Sequence, residues 1–240
     1  MVKKALNSIP YIAAGVIFSL GILASIFSPS YIKSAGAVSG PISSPISPTP
    51  SPTLSPISSP ISSPKTITMQ ISSGTNDVNE DGTNYGVDRS TIFLGTGAFV
   101  GKGYTGLRFT NVNIPLGANI TSAHLEVVPP ANAWIQLKFD IYGEASGSAT
   151  VFTSVARPSQ RSLTTAKVSH ASDVFWSAGS VNSLNEMKTV IQEVINRPDW
   201  HSGNSLSVIL KGTGGAWSRK FVTSFEGSAA AAPKLVVTYK

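Results

Sequence analysis

Apolar and polar residues alternate along most of residues 65–240, and this period of two limits how the chain can fold more than any other feature. Successive side chains of a β-strand point to opposite faces, so alternation gives each strand one apolar face that it can bury. At least seven short segments show the pattern, and Gly, Pro and Asn separate them. The positions that share a face are Ile67, Met69 and Ile71; Leu107 and Phe109; Ala123, Leu125 and Val127; Ile135, Leu137, Phe139 and Ile141; Leu206, Val208 and Leu210; Phe221, Thr223 and Phe225; and Leu235, Val237 and Tyr239. Residues 65–240 are therefore predicted to form an all-β sandwich.

One segment departs from this alternation and has the period of an α-helix. Ser183 and Glu186 form a capping box at its predicted start, and Pro198 marks its predicted end. We expect one amphipathic helix that packs across an open end or face of the sandwich as a structural plug. Its apolar residues, spaced three or four apart, are Leu184, Met187, Val190, Ile191, Val194 and Ile195.

The start of the sequence indicates export. Residues 9–27 form an apolar run of 19 residues without a charge, which is long enough to cross a bilayer. Two lysines precede the run and one follows it, and this bias favours a cytoplasmic N-terminus with the remainder exported. The run is longer than an ordinary signal-peptide core, yet residues 35–37 form an A-x-A-like cleavage site. Residues 1–37 are predicted to be a membrane anchor, which we favour, or a signal peptide cleaved after Ala37 to release a secreted protein.

Residues 38–64 have the composition of a stalk. They consist mainly of Ser, Pro, Ile and Thr, with eight prolines in 27 residues. Such a segment cannot form regular structure and favours extended polyproline II, about 3.1 Å per residue, which gives a reach of roughly 80 Å. We predict a disordered linker that holds the sandwich away from the membrane.

The charge of the chain argues against nucleic acid as a partner. Only 12% of the 240 residues are charged, and the net charge is +6. Lys3, Lys4 and Lys33, beside the apolar run, supply half of that excess, and no run of Lys or Arg marks a phosphate-binding face. The sequence has no cysteine, which excludes disulfides, a thiolate metal site and a cysteine nucleophile.

Four segments resemble a known module. GLRFTNVNIPLGANITSAHLEVV, IYGEAS, IQEVINRPDWHSGNSLSVILKGTG and SFEGSAAAAPKLVVTY are similar to the DNRLRE-type, carbohydrate-binding-like modules of secreted and surface-attached bacterial proteins. The resemblance runs from about Asp77 to Tyr239. It implies a jelly-roll β-sandwich and an extracellular accessory role, and it implies little about the ligand because fold does not fix function.

The sharpest local motif lies at residues 77–88, in a predicted loop between strands. It matches the calcium-loop pattern at the first, third, fifth and sixth positions and has an aspartate at the twelfth. Calcium takes oxygen ligands, so the sequence predicts calcium as a cofactor. A polar turn rich in Asn, Asp and Gly has the same composition and carries equal weight. The predicted ligands are the side chains of Asp77, Asn79, Asp81 and Asp88 and the carbonyl oxygen of Thr83.

Trp217, Trp134 and Tyr104 are the predicted ligand-binding residues, since an exposed flat ring can stack on the apolar face of a sugar. Trp217 lies in the glycine-rich segment GTGGAWSRKF, Trp134 at the start of a predicted strand, and Tyr104 in a predicted loop. Trp176 in DVFWSAG and Trp200 in NRPDWHSG lie in segments that the resembling modules share, so both are predicted to be structural.

Catalysis has little support in the sequence. The three histidines are far apart, and there is no nucleophile elbow or phosphate-binding loop. Asp140, Glu144 and Glu226 are the candidates for a pair of glycoside-cleaving carboxylates. Two of them fall in the shared segments, so a structural role is favoured and the chain is predicted not to be an enzyme.

These observations lead to one functional prediction and two alternatives. The chain is predicted to be a non-catalytic recognition module, at the cell surface or secreted, that binds extracellular carbohydrate with the assistance of calcium. The first alternative is a structural or adhesive surface protein that binds protein partners or itself. The second, less favoured, is an enzyme that acts on polysaccharide.

Overall fold

The computed structural model of the chain describes Gly40 and residues 63–240. The predicted anchor or signal peptide of residues 1–37 lies outside the described residues, and so does the predicted stalk apart from Gly40, Ser63 and Pro64. Residues 63–240 belong to one unit of the chain. Its regular structure is mostly antiparallel β-sheet with one α-helix, so the all-β prediction is confirmed.

Twelve strands form three sheets between Lys65 and Tyr239. A four-stranded sheet has the order β1-β12-β6-β9, a six-stranded sheet the order β3-β2-β5-β10-β7-β8, and β11 pairs with β4 in a separate two-stranded sheet. The strands are β1 (Lys65–Gln70), β2 (Asp77–Asp81), β3 (Asn84–Gly86), β4 (Thr91–Gly95), β5 (Gly103–Phe109), β6 (Ile120–Val127), β7 (Leu137–Gly143), β8 (Val168–Ser172), β9 (Asn182–Ser183), β10 (Leu206–Gly212), β11 (Arg219–Thr223) and β12 (Lys234–Tyr239).

One hydrophobic core receives side chains from all three sheets. The predicted alternation is clearest in β12, where Leu235, Val237 and Tyr239 are buried in this core. Strand β10 is buried on both faces, because the face that carries Ile209 packs in a second, smaller cluster with Val78 and Phe152. The six-stranded sheet therefore has apolar cover on its second face as well.

The α-helix, α1 (Lys188–Ile195), packs against β6 and β7 and buries its apolar face in the main core. It begins later than predicted, and the predicted capping box is wrong. Ser183 lies in β9 instead, where it pairs with Glu126 of β6. The carboxylate of Glu186 instead accepts hydrogen bonds from the backbone N–H groups of Ala123, at 2.7 Å, and Lys188, at 2.8 Å. Among the described residues, no helix has both the length and the apolar character needed to cross a bilayer.

Several predicted strand positions are wrong. Strand β7 begins at Leu137, so Trp134 and Ile135 precede it and both are exposed. Tyr104 lies within β5 and not in a loop. In β11 the inward residues are Lys220 and Val222, whereas Phe221, predicted to face the core, points outward. Alternation could not decide the face of β11, because it has an apolar residue in both registers.

Candidate functional site

The outer face of the two-stranded sheet forms the floor of the candidate site. Phe93 of β4 pairs with Phe221 of β11, and Arg219 shares the outward face with Phe221. The opposite face carries Ile92, Leu94 and Val222 into the main core. A strand pair fixed in this way by its buried face offers a rigid platform for the residues on the other.

A cavity of about 450 Å³ lies over this platform and brings together two of the three predicted binding residues, Trp134 and Trp217. We call it the aromatic trough. Trp134 is 74% exposed, Trp217 54% and Phe221 43%, which are high values for large apolar side chains. The residues that line the aromatic trough are Pro130, Ala131, Asn132, Ala133, Trp134, Ile135, Trp217, Arg219, Lys220 and Phe221.

Trp217 is held in an unusual backbone conformation. As predicted, it lies in the segment between β10 and β11, and its φ of 63° is in the left-handed region. Its N–H donates to the carbonyl of Gly97 at 2.8 Å, and its own carbonyl accepts from the N–H of Arg219 at 2.8 Å. A bulky residue in this region is strained, and such strain persists only where the surroundings impose it. Here the imposed backbone presents an aromatic ring to solvent.

The guanidinium of Arg219 packs among three aromatic rings. Its central carbon lies 4.6 Å from the ring centroid of Trp217, 4.9 Å from that of Phe221 and 5.1 Å from that of Phe93. Burial lowers the pKa of Arg219, and the charge of Asp81 opposes this shift. The contacts are within cation–π range, so Arg219 holds the rings of Trp217 and Phe221 in place.

Trp134 forms the opposite wall. Its ring packs on Phe175 with centroids 4.1 Å apart and planes inclined by 36°. The segments that carry these two rings lie outside the named strands and are joined by an isolated bridge, in which Ala133 and Trp176 exchange backbone hydrogen bonds of 2.9 and 3.0 Å. The wall is therefore built by two segments distant in sequence.

The third predicted binding residue lies elsewhere. Tyr104 is partly buried on the second face of the six-stranded sheet, against the small cluster that contains Val78 and Ile209. The ammonium of Lys211 lies 5.9 Å from its ring centroid. Tyr104 is thus not part of the aromatic trough.

Trp176 and Trp200 are both buried, in agreement with the structural role predicted for them. The indole N–H of Trp200 donates to the carbonyl of Ile114 at 3.0 Å, which satisfies its one polar group within the core.

The predicted calcium loop is folded as a hairpin. Asp77, Asn79 and Asp81 occupy alternate positions of β2, so they share one strand face and are not wrapped around a point. The Asn79 amide donates to the carbonyl of Phe93 at 2.9 Å and accepts from its N–H at 2.7 Å. Asp81 accepts from the N–H of Ala98 at 2.7 Å. These side chains therefore already bind the backbone of neighbouring segments.

The remaining two predicted calcium ligands follow this strand. The Thr83 carbonyl accepts a hydrogen bond of 2.9 Å from Arg157, and Asp88 has a left-handed φ of 52°. Within residues 63–240, no group of three or more His, Asp or Glu side chains is arranged to hold a metal ion. The arrangement does not fit the predicted loop geometry, and calcium binding stays a prediction of the sequence.

The buried carboxyl group of Asp77 has a strongly raised pKa. Burial, reinforced by the charges of Glu226 and Asp88, raises the pKa of Asp77 to about 7. Its Oδ2 accepts from the N–H of Phe225 at 2.7 Å, while its Oδ1 has no hydrogen-bond partner among the described residues. Below about pH 7 the folded chain therefore holds Asp77 mainly in its protonated form.

Two of the candidate carboxylates are engaged in ion pairs. Glu144 lies 3.1 Å from Arg161 with both side chains buried, and Asp140 lies 2.7 Å from Lys167. Asp140 also accepts from the hydroxyl of Ser169 at 2.6 Å. The contact of Glu144 is of the structural kind that the sequence favoured for Glu144 and Glu226.

Three residues of the site were missed from the sequence. Because Phe221 was predicted to face the core, neither Phe221 nor Arg219, which shares its face, was predicted to be exposed. The sequence Arg-Lys-Phe-Val at the start of β11 allows either face to be the buried one. Phe175 gave no separate signal, since its stacking on Trp134 is a contact between distant segments.

Comparison with known proteins adds no family assignment. None of the protein-family models matches the chain, and no match was found among curated proteins.

Proposed function

We propose that this chain is a non-catalytic recognition module that binds carbohydrate in the aromatic trough. The observation that carries the proposal is the convergence of Trp134, Trp217 and Phe221, all substantially exposed, around one open cavity. Exposed rings on a rigid platform stack on the apolar faces of sugars at low entropic cost, because they are already oriented. Arg219, packed against two of these rings, supplies that orientation.

The finer parts of the proposal come from the sequence. The resemblance to DNRLRE-type modules favours a jelly-roll topology and an extracellular role. The predicted anchor or signal in residues 1–37 and the predicted stalk in residues 38–64 fit display of the module at a cell surface, or its secretion after cleavage. Calcium would steady the hairpin of residues 77–88, and a rise in melting temperature at millimolar calcium would support it.

The test is binding of the full chain to a panel of four soluble polysaccharides, β-glucan, xylan, mannan and polygalacturonate. Binding is measured by affinity electrophoresis. Trp217→Ala is expected to weaken binding about tenfold, because a lost stacking contact is worth roughly 1 to 1.5 kcal/mol. Phe99→Ala is the matched control, since Phe99 is an exposed aromatic residue that does not line the aromatic trough. Equal binding by the Trp217→Ala variant and the wild type would refute the proposal.

An adhesive role is the second candidate, and one observation favours it. Val174 and Phe175 are exposed near Trp134 and do not line the cavity, so the apolar surface extends beyond the cavity. Exposed apolar surface of this kind also marks protein–protein contact. Self-association that depends on concentration and is lost in Trp134→Ala, together with no binding to the polysaccharide panel, would favour this role.

A further inference from the structure

We propose that Lys220 is a positioning residue of the aromatic trough, whose buried ammonium ties together the two segments that carry Trp134 and Phe175. The inference rests on the proposed recognition function of the trough. It adds a residue that acts through the backbone beneath the two rings.

The geometry joins one cation to both segments. Lys220 faces inward from β11 and is 1% exposed. Its Nζ donates to the carbonyl of Ala133 at 3.1 Å and to the carbonyl of Val174 at 2.8 Å. These two residues directly precede Trp134 and Phe175 in the sequence. Each contact therefore lies one residue away from a ring of the wall.

The two segments of the wall are joined on either side of the rings. On one side the Ala133–Trp176 bridge is followed by hydrogen bonds from the N–H groups of Ala178 and Gly179 to the Asn132 side chain, at 2.9 Å, and the Pro129 carbonyl, at 2.8 Å. On the other side Leu137 of β7 pairs with Ser172 of β8. Lys220 attaches the stretch between these links, because it binds Val174 and shares the Ala133 carbonyl with the N–H of Trp176.

The residue type itself points to this role. Removing an ammonium from water is costly unless hydrogen bonds replace its hydration. Two carbonyls and the ring of Trp176, whose centroid lies 5.2 Å from Nζ, provide that replacement. Burial lowers the pKa of Lys220, and the charge of Asp173 opposes this shift. An apolar residue, as at Val222, would fill an inward position of β11 without this cost.

The first measurement concerns the Trp134 ring without ligand. The near-ultraviolet circular dichroism that Trp134→Ala removes is taken as the Trp134 signal of the full chain. We expect Lys220→Met to lose more than half of this signal, and Lys220→Arg, which keeps the donors, to retain more of it. Lys211→Met is the matched control, because Lys211 is a partly buried lysine beside Tyr104 on another face.

The second measurement is affinity for the four polysaccharides of the panel. Lys220→Met is expected to weaken binding about fivefold relative to the wild type. In a Trp134→Ala background the same substitution is expected to add less than a twofold loss, because its effect passes through that ring. If Lys220→Met does not fold, Lys220→Gln, which is polar and shorter, takes its place with the same expectations.

The outcomes separate the two proposals. Retention of both the Trp134 signal and the affinity in Lys220→Met would overturn the positioning role. An equal loss of affinity with and without Trp134 would overturn it too, since it would indicate a general effect on the fold. If the wild type binds none of the polysaccharides, the proposed function fails, and the circular dichroism alone decides the role of Lys220.

Discussion

Asp77 makes the stability of the sandwich depend on pH in the direction opposite to that of an ordinary carboxylate. The pKa of this carboxyl group is about 7 in the folded chain and 3.8 in the reference state, since burial disfavours its charge. Between these values the folded state binds more protons than the unfolded state. The contribution of Asp77 to the free energy of unfolding therefore falls as the pH rises.

The size of this effect follows from the two pKa values. One pKa unit corresponds to about 1.4 kcal/mol, so the contribution falls by roughly 3 kcal/mol between pH 4.5 and 8. Asp77→Asn removes the titration and keeps an oxygen that can accept from the N–H of Phe225. The free energy of unfolding of Asp77→Asn, minus that of the wild type, is expected to rise by this amount over the same range.

Urea denaturation of both chains at several pH values between 4.5 and 8 measures the difference, and subtraction removes the titration of shared groups. Asp140→Asn is the control for a lowered pKa. Burial acts to raise the pKa of Asp140, but hydrogen bonds from Lys167 and Ser169 outweigh it and lower the pKa below 3.8, so its contribution is lost only below the measured range and the difference between Asp140→Asn and the wild type should stay constant. Parallel stability curves for the wild type and Asp77→Asn would show that the folded pKa of Asp77 is ordinary and the reasoning is wrong.

Two further substitutions test contacts away from the aromatic trough, and both should leave polysaccharide binding of the folded chain unchanged. Glu144→Gln leaves the charge of Arg161 uncompensated in a buried pair, and we expect it to destabilise the fold by about 3 kcal/mol in urea denaturation. An unchanged free energy of unfolding would show that the two side chains do not form a tight pair. Trp200→Phe removes the hydrogen bond to Ile114 and part of a buried ring, and we expect a loss of about 2 kcal/mol, observed as a lower denaturation midpoint with the same slope. A loss of less than about 0.5 kcal/mol would show that the core repacks around the smaller ring and that the indole N–H is dispensable.

The sequence predicted the fold class because strand alternation is a local property. In β6 and β12 the polar face is partly exposed and the apolar face is buried, so the period alone identifies the inward residues. The period did not identify the inward residues of β11, because Phe221 and Val222 lie on opposite faces and contacts with distant segments determine which face is buried. The capping box did not predict the helix start correctly, because Ser183 lies in the edge strand β9 and pairs with Glu126 of β6.

The candidate site was predicted in part for a related reason. Trp134 and Trp217 were chosen separately, as rings outside the expected core, and only the fold places them around the same cavity. Arg219 and Lys220 are adjacent in sequence yet point to opposite faces of β11, one among the rings and one beneath the wall. Nothing local in the sequence distinguishes those two roles.

The left-handed backbone at Trp217 sets stability against the exposure of an aromatic ring at one residue. Glycine adopts this conformation without steric cost, so a chain selected for stability alone would carry glycine at residue 217. The strain at Trp217 persists because contacts with neighbouring segments impose it. Stability-guided redesign of this segment would place glycine at residue 217 first, and would remove an exposed ring from the aromatic trough together with the strain.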